Sequence, residues 1–297
     1  MISFYTIPKG FSGHIGVIQR NAIRSWLALR PKIEILLLGD DPGTAEFAAA
    51  NGLTHLPGID RNEFGTPLLS SVIEKGEAAA SNPIVCWINA DIILMSDFLP
   101  AVRLALESAP GSLVIGRRRN LRVDEELDFA GDWESPLLGR ARKEGELSGV
   151  DFMVHPRGLW GSIPPFALGR SSHEKWLIWR SHDRGVSIVD ITQCARVIHQ
   201  DHHYQSQGVA VPVRQFRSGA EGTRNLELGG GPGHLQNIYD ADYTLVGGRL
   251  RPNLLRYRPV RALRHAAAGL VGTALRALTA LFPGLEPVRS ALRRMSR

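Results

Sequence analysis

Short apolar runs alternate with longer stretches in which apolar residues recur every three or four positions, and the alternation continues through most of the chain. These are the periods of a buried strand and of a one-sided helix, and together they predict an α/β fold, a mostly parallel sheet flanked by helices. Strands are expected at Ile2–Ile7, Ile33–Leu38, Leu53–Leu56, Ile84–Ile88, Ser112–Gly116, Val150–Val154 and Val186–Asp190. Helices are expected at Ile15–Leu29, Thr44–Asn51, Pro67–Ser81 with Thr66 as N-cap, Asp97–Glu107, and Ser172–Ser181 opened by a serine cap. Between strand and strand, Arg117–Glu146 is a polar, basic stretch. From residue 205 the periodicity weakens and glycine is frequent. This divides the chain into a main domain at 1–208, a loop-rich extension packed on it at 209–248, and a helical tail at 249–297.

Composition sharpens that division. The 297 residues carry 35 Lys plus Arg against 29 Asp plus Glu, a net charge of +6, but the charge is unevenly placed. Residues 249–297 hold 11 arginines and one acid, a balance of +10, while the first 248 residues come to −4. A nucleic-acid partner, which a uniformly basic chain would suggest, is not expected. Two cysteines, Cys86 and Cys194, exclude a disulfide framework, and 43% hydrophobic residues suffice for a sizeable core. "MISFYTIPKG" reads as a strand rather than a targeting segment. The longest weakly polar stretch, Ala266–Leu275, is about half of the roughly 20 residues that a membrane span needs. A cytoplasmic location is expected. In the tail, Val260–Phe282 places Leu263, Ala267, Leu270, Ala274, Leu278 and Leu281 along one side, Pro283-Gly284 ends that helix, and Val288–Met295 adds a short second one. An arginine-rich amphipathic helix is the composition of a peripheral anchor on an anionic membrane, here the inner face, and also of a protein-binding tail.

Candidate chemistry lies where apolar runs end, because an open α/β sheet binds ligands at the carboxyl ends of its strands. Four such ends are rich in polar groups: Thr6-Ile7-Pro8-Lys9, Gly39-Asp40-Asp41, Asn89-Ala90-Asp91, and Asp190 onward to His199. Asp91, one residue beyond the apolar "VCWI", suits a rigidly held carboxylate that binds a divalent cation and, through it, a diphosphate. The cluster His-Gln-Asp-His-His-Tyr at 199–204 offers mixed nitrogen and oxygen ligands suited to manganese or magnesium, with His199, His202 and His203 all open as the ligand. Arg20 and Arg24, one helical turn apart, present two guanidinium groups suited to a diphosphate, although a solvated helix face has the same spacing.

Seven segments in order, "QRNAIRSWLAL" at 19–29, "ILLLGDD" at 35–41, "FGTPLL" at 64–69, "WINADIIL" at 87–94, "SGVDFMVHPRGL" at 148–159, "ALGRSSHEKWLIW" at 167–179 and "VIHQDHHY" at 197–204, resemble the GT-A-type nucleotide-sugar glycosyltransferases. The resemblance implies a GT-A-like, Rossmann-like sheet and a hexosyltransferase that draws on a nucleotide-diphosphate sugar and a divalent metal, manganese or magnesium. The acceptor would be a carbohydrate or a lipid-linked glycan. In the family's Asp-x-Asp metal motif Asn89 replaces the first Asp, Asp91 keeps the second, and His199, with His202 beside it, matches the late metal-binding histidine. Glu174 matches the carboxylate base of inverting members, with His173 before it where those members carry Trp. The donor would meet Thr6, Pro8, Arg20, Arg24, Asp40, Thr66 and Asn89, and the acceptor side would hold Asp151, Arg170 and Trp176, the last as a platform for a sugar ring. Two other readings stay open: a non-catalytic GT-A-like binding domain, and a sugar-phosphate nucleotidyltransferase. The latter expects an early glycine-rich loop ending in a basic residue, an order that "PKGFSGHIG" lacks.

Overall fold

A computed structural model of the chain describes residues 1–202, 205–206, 209–210 and 219–256. The expected tail helices and His203 lie outside the described residues.

The first part of the chain winds as expected: β1 (Ile2–Thr6), α1 (Gly13–Ala28), β2 (Glu34–Leu38), α2 (Thr44–Ala50), β3 (Thr54–Leu56), α3 (Leu69–Ala79) and β4 (Ile84–Ile88). β4 leads through a turn into β5 (Ile92–Leu94), followed by α4 (Phe98–Ser108), β6 (Leu113–Leu121), α5 (Glu134–Glu144) and β7 (Leu147–Pro156). Then come α6 (His173–Asp183), β8 (Ile188–Asp190), β9 (Val197–Gln200), the small ladder of β10 (Gln205–Ser206) with β11 (Val209–Ala210), α7 (Ala220–Leu228), β12 (Tyr243–Val246) and β13 (Arg249–Pro252).

The main sheet runs in the order β13-β12-β8-β6-β7-β4-β1-β2-β3, with β9 joined to both β5 and the far half of β6. Most of its ladders are parallel, and β7 runs antiparallel between β4 and β6. Both faces are covered, which is why the strands read as unbroken apolar runs. Successive side chains divide between two cores. Phe4, Leu37, Cys86, Ile88 and Val154 pack toward α1 and α4, whereas Tyr5, Leu36, Val85, Trp87 and Met153 pack toward α3 and α6. Gly76 permits the second contact, because a Cβ there would stand 2.5 Å from the Tyr5 ring.

Several expectations shift. Thr66 does not cap α3: Pro67 and Leu68 are drawn out of the helix into bridges with Arg61 and Ala167, so the helix opens at Leu69. Ser172 precedes α6 but makes no capping bond through its side chain, and its φ is +86°. β6 runs well beyond Gly116, and register shifts at Arg117 and Arg118 turn it from β8 toward β9. The stretch expected to be loop-rich holds α7 and contributes β12 to the main sheet beside β8. Among the described residues no helix is long and apolar enough to cross a membrane.

Candidate active site

Where the parallel strands end, β1, β2 and β4 deliver Pro8 and Lys9, Asp41, and Asn89 to Asp91 to the floor of one cleft of about 320 Å³. Around it stand Arg61 and Gly65 to Pro67, the adjoining segment Leu168 to Arg170, whose Leu168 amide bonds the Pro67 carbonyl at 2.9 Å, then His173 and Glu174, and His199 with His202.

Asn89-Ala90-Asp91 is the turn between β4 and β5, closed by the Ile92 amide on the Asn89 carbonyl at 3.2 Å. The buried Gln200 fixes it from behind, since its backbone amide (3.1 Å) and its side-chain amide (3.2 Å) both donate to the Asp91 carbonyl. This presents the Asp91 carboxylate to two imidazoles: Oδ2 lies 3.3 Å from His199 Nε2 and 3.2 Å from His202 Nε2. The ligand atoms of the three residues all lie within 4.8 Å of one another. Oδ1 of Asp91 is buried without a hydrogen-bond partner. Burial alone would raise the Asp91 pKa, but the imidazoles, His199 foremost, outweigh it and hold the carboxyl far below its usual range. Burial would likewise lower His199, and the Asp91 carboxylate with the Asp201 contact overcomes it, pushing the imidazole up to about 9. A concentrated negative charge, two ring nitrogens and an unpaired buried oxygen form a donor set that fits a divalent cation of the manganese or magnesium type.

Asn89 donates through its side-chain amide to Asp151 Oδ1 at 2.8 Å, which leaves its carbonyl oxygen for the cleft. Asp151 in turn is ion-paired with Arg118 of β6. Both Asn89 and Asp151 line the cleft, but the Asp151 carboxylate is committed to Arg118 and Asn89 rather than held open for an acceptor. Arg170 is bonded to Glu221 of α7 at 2.7 Å and stands 3.4 Å from Thr66. Burial acts to raise Glu221, and bonds from Thr66, Asn62 and Arg170 hold it below the ordinary carboxyl range nonetheless. Glu174 lies in the first turn of α6, facing the cleft.

The structure brings Pro8, Thr66, Asn89, Asp91, Asp151, Arg170, Glu174, His199 and His202 together. Other candidates do not line this cleft. Thr6 is buried beneath it at the end of β1. Arg20 and Arg24 share a face of α1 as their spacing requires, but both bind Glu126, at 2.5 and 2.6 Å, instead of lining the cleft. Asp40 accepts from the Gly58 amide at 2.8 Å in an exposed turn, and its neighbour Asp41 faces the cleft, paired with Arg61 at 2.5 Å. Trp176 is 6% exposed, edge-on to Phe166 at 5.2 Å, so it is core rather than a sugar platform. Lys9, Asp41, Arg61 and His173 line it as well. The first two stood in the polar strand ends, whereas Arg61 had no signal in the sequence.

No family model and no curated protein matches the chain. Among solved structures it is similar to S. aureus TarS 1-349 in complex with UDP-GlcNAc, at 9% identity over 77% of this chain and 70% of that one, with a TM-score of 0.49. It is also similar to glucosyl-3-phosphoglycerate synthase from Mycobacterium tuberculosis in complex with Mg2+ and UDP, at 18% identity over 86% of this chain and 90% of that one, with a TM-score of 0.45. Both were solved with a uridine nucleotide bound.

Proposed function

We propose that the chain is a glycosyltransferase that moves a sugar from a nucleotide-diphosphate donor to a hydroxyl acceptor, with inversion at the anomeric carbon. The observation that carries this reading is a single cleft lined by a buried carboxylate with an unpartnered oxygen, by the two imidazoles beside it and by a glutamate in the first turn of a helix.

Asp91, His199 and His202 would hold the divalent cation. When bound, that ion supplies positive charge for the departing diphosphate. Lys9 adds its own charge to the cleft, and Gln19 fixes the Lys9 backbone by accepting from its amide at 2.6 Å and donating to its carbonyl at 2.9 Å. The side-chain oxygen of Asn89 accepts from a ribose or sugar hydroxyl. Glu174 takes the proton of the acceptor hydroxyl as the new C–O bond forms and the bond to the diphosphate breaks, its electron pair leaving with the diphosphate. A carbohydrate or lipid-linked acceptor, and an anionic membrane surface met through residues 249–297, complete the proposal from the charge and amphipathic pattern of the tail.

The test is thermal unfolding of the full chain with a panel of nucleotide-diphosphate sugars, each with and without Mn2+. One donor is expected to raise the midpoint more with the ion than without it, and Asp91→Asn is expected to remove the ion-dependent part. A panel without any such donor, or an Asp91→Asn protein with an undiminished ion effect, would overturn the reading.

A further inference from the structure

His173 and Glu174, the first two residues of α6, touch in a way that the proposed reaction has not yet used. The His173 ring is 1% exposed and meets the edge of Trp87 at 5.8 Å between ring centres. Its Nδ1 is 2.7 Å from the Arg170 carbonyl oxygen, and its Nε2 is 3.3 Å from Glu174 Oε1. A carbonyl oxygen only accepts, so Nδ1 carries a hydrogen. With Nδ1–H engaged, Nε2 faces the Glu174 carboxylate oxygen at 3.3 Å, a contact that becomes a hydrogen bond when a proton enters it.

We propose that His173 is the positioning residue of the base, so that the proton removed by Glu174 from the acceptor hydroxyl is shared with His173 Nε2. The inference rests on the reading of Glu174 given above. The acceptor O–H bond breaks, its proton passes to Glu174 Oε1 and bridges to Nε2, and the freed oxygen electron pair forms the bond to the anomeric carbon. A lone carboxylate is a weak base toward a sugar hydroxyl, and a ring nitrogen behind it gives the proton a second acceptor.

The surroundings fix this contact. Among the described residues Ser172 is the one non-glycine residue with a positive φ, a conformation that costs about 1–3 kcal/mol and persists where neighbours impose it. The neighbours here are bonds from Asn225 of α7, which pairs with both the amide (2.8 Å) and the carbonyl (2.9 Å) of Ala167 and donates to the Ser171 carbonyl at 3.1 Å. The other charged side chains lining the cleft are Lys9, Asp41, Arg61, Asp91, Asp151 and Arg170. Five of them are bonded elsewhere: Arg61 and Asp41 to each other, Asp91 to its two histidines, Asp151 to Arg118 and Arg170 to Glu221.

Three variants of the full chain test the proposal: His173→Phe, which keeps a flat ring against Trp87 and removes both nitrogens, Glu174→Gln, and the pair together. His173→Phe is expected to lower kcat about tenfold or more while donor Kd and acceptor KM stay as in the parent. The double variant should be no slower than Glu174→Gln alone, because His173 acts through Glu174. A second readout needs no turnover. In 15N spectra of the histidine rings, His173 should be protonated at Nδ1, and Glu174→Gln should move its Nε2 signal. Should the Phe ring disturb folding, His173→Gln, which can still donate to the Arg170 carbonyl but cannot take up a proton, is expected to show the same loss of kcat. Full kcat in His173→Phe alongside lost transfer in Glu174→Gln would overturn this inference alone, as would an unmoved Nε2 signal. Parental transfer by Glu174→Gln would overturn the base assignment and this inference with it.

Discussion

Arg118 and Asp151 face each other across adjacent strands as an ion pair, with their side chains 6% and 4% exposed. Asp151 also accepts from Asn89, and the Arg118 guanidinium bonds Asn120 as well, so the pair ties the β4–β5 turn to the bent half of β6. The cleft floor therefore depends on a guanidinium that does not itself line the cleft.

Removing one partner of a buried pair leaves an uncompensated charge, a loss of about 3–5 kcal/mol, whereas replacing both by apolar groups is often close to neutral. Arg118→Met is expected to destabilise by that amount in urea unfolding. Arg118→Met with Asp151→Leu should recover most of the stability while weakening donor binding, since Asn89 has then lost its acceptor. Equal stabilities for the single and double variants would count against the pair as the cause.

Asn225 joins α7 to the loop that carries Arg170 and His173. Asn225→Ala strands the amide of Ala167 in a buried site and leaves its carbonyl with the longer bond from the Arg170 amide at 3.4 Å, and an unsatisfied buried group costs about 1–3 kcal/mol. The expected result is a lower thermal midpoint together with faster amide exchange confined to 167–173. Faster exchange throughout the chain, with no local excess, would show that α7 supports the whole fold rather than this wall of the cleft.

His155 supplies a pH dependence. It is fully buried, with Nδ1 against the Pro156 carbonyl at 2.9 Å and Nε2 against the Tyr5 hydroxyl at 3.3 Å, and burial lowers its pKa to about 4 despite the bond to Pro156. An unfolded histidine takes up its proton near 6.5, so between about pH 6.5 and 4 the unfolded chain binds a proton that the folded one excludes. Its contribution is complete above that window, falls across it, and levels off below it, a change of roughly 3 kcal/mol. Urea midpoints of the parent and His155→Gln at several pH values isolate the effect, because the other titrating groups are common to both. Parallel curves across pH 4 to 7 would refute it.

Much of this was legible in the sequence for one reason: a buried two-sided sheet writes continuous apolar runs, and polar residues at their ends stand where ligands bind. Asp91 was singled out in this way and Glu174 through the family resemblance alone, and the fold brings His199 and His202 to Asp91. What escaped was pairing at long range. Arg20 and Arg24 share a face as their spacing implies, but their partner Glu126 is 106 and 102 residues away, and the periodicity of a helix says nothing about what meets it. Trp176 has helical spacing compatible with either core or cleft, and packing against Phe166 decided between them. β5 escaped because three apolar residues after a turn carry no period of their own, and only the antiparallel ladder with β9 makes them a strand.

The hairpin of β12 and β13 bears on how this chain can be taken apart. β12 covers the outer edge of β8, so a chain stopped at residue 208 would leave the β8 amides and carbonyls open to pairing with another molecule. The body held together by this hairpin therefore extends past Pro252 and the buried Asn253, whose side chain bonds the Ala241 carbonyl at 3.0 Å, as far as Arg256, which pairs with Asp242. Any fusion, truncation or proteolytic cut meant to leave that body whole belongs beyond that point.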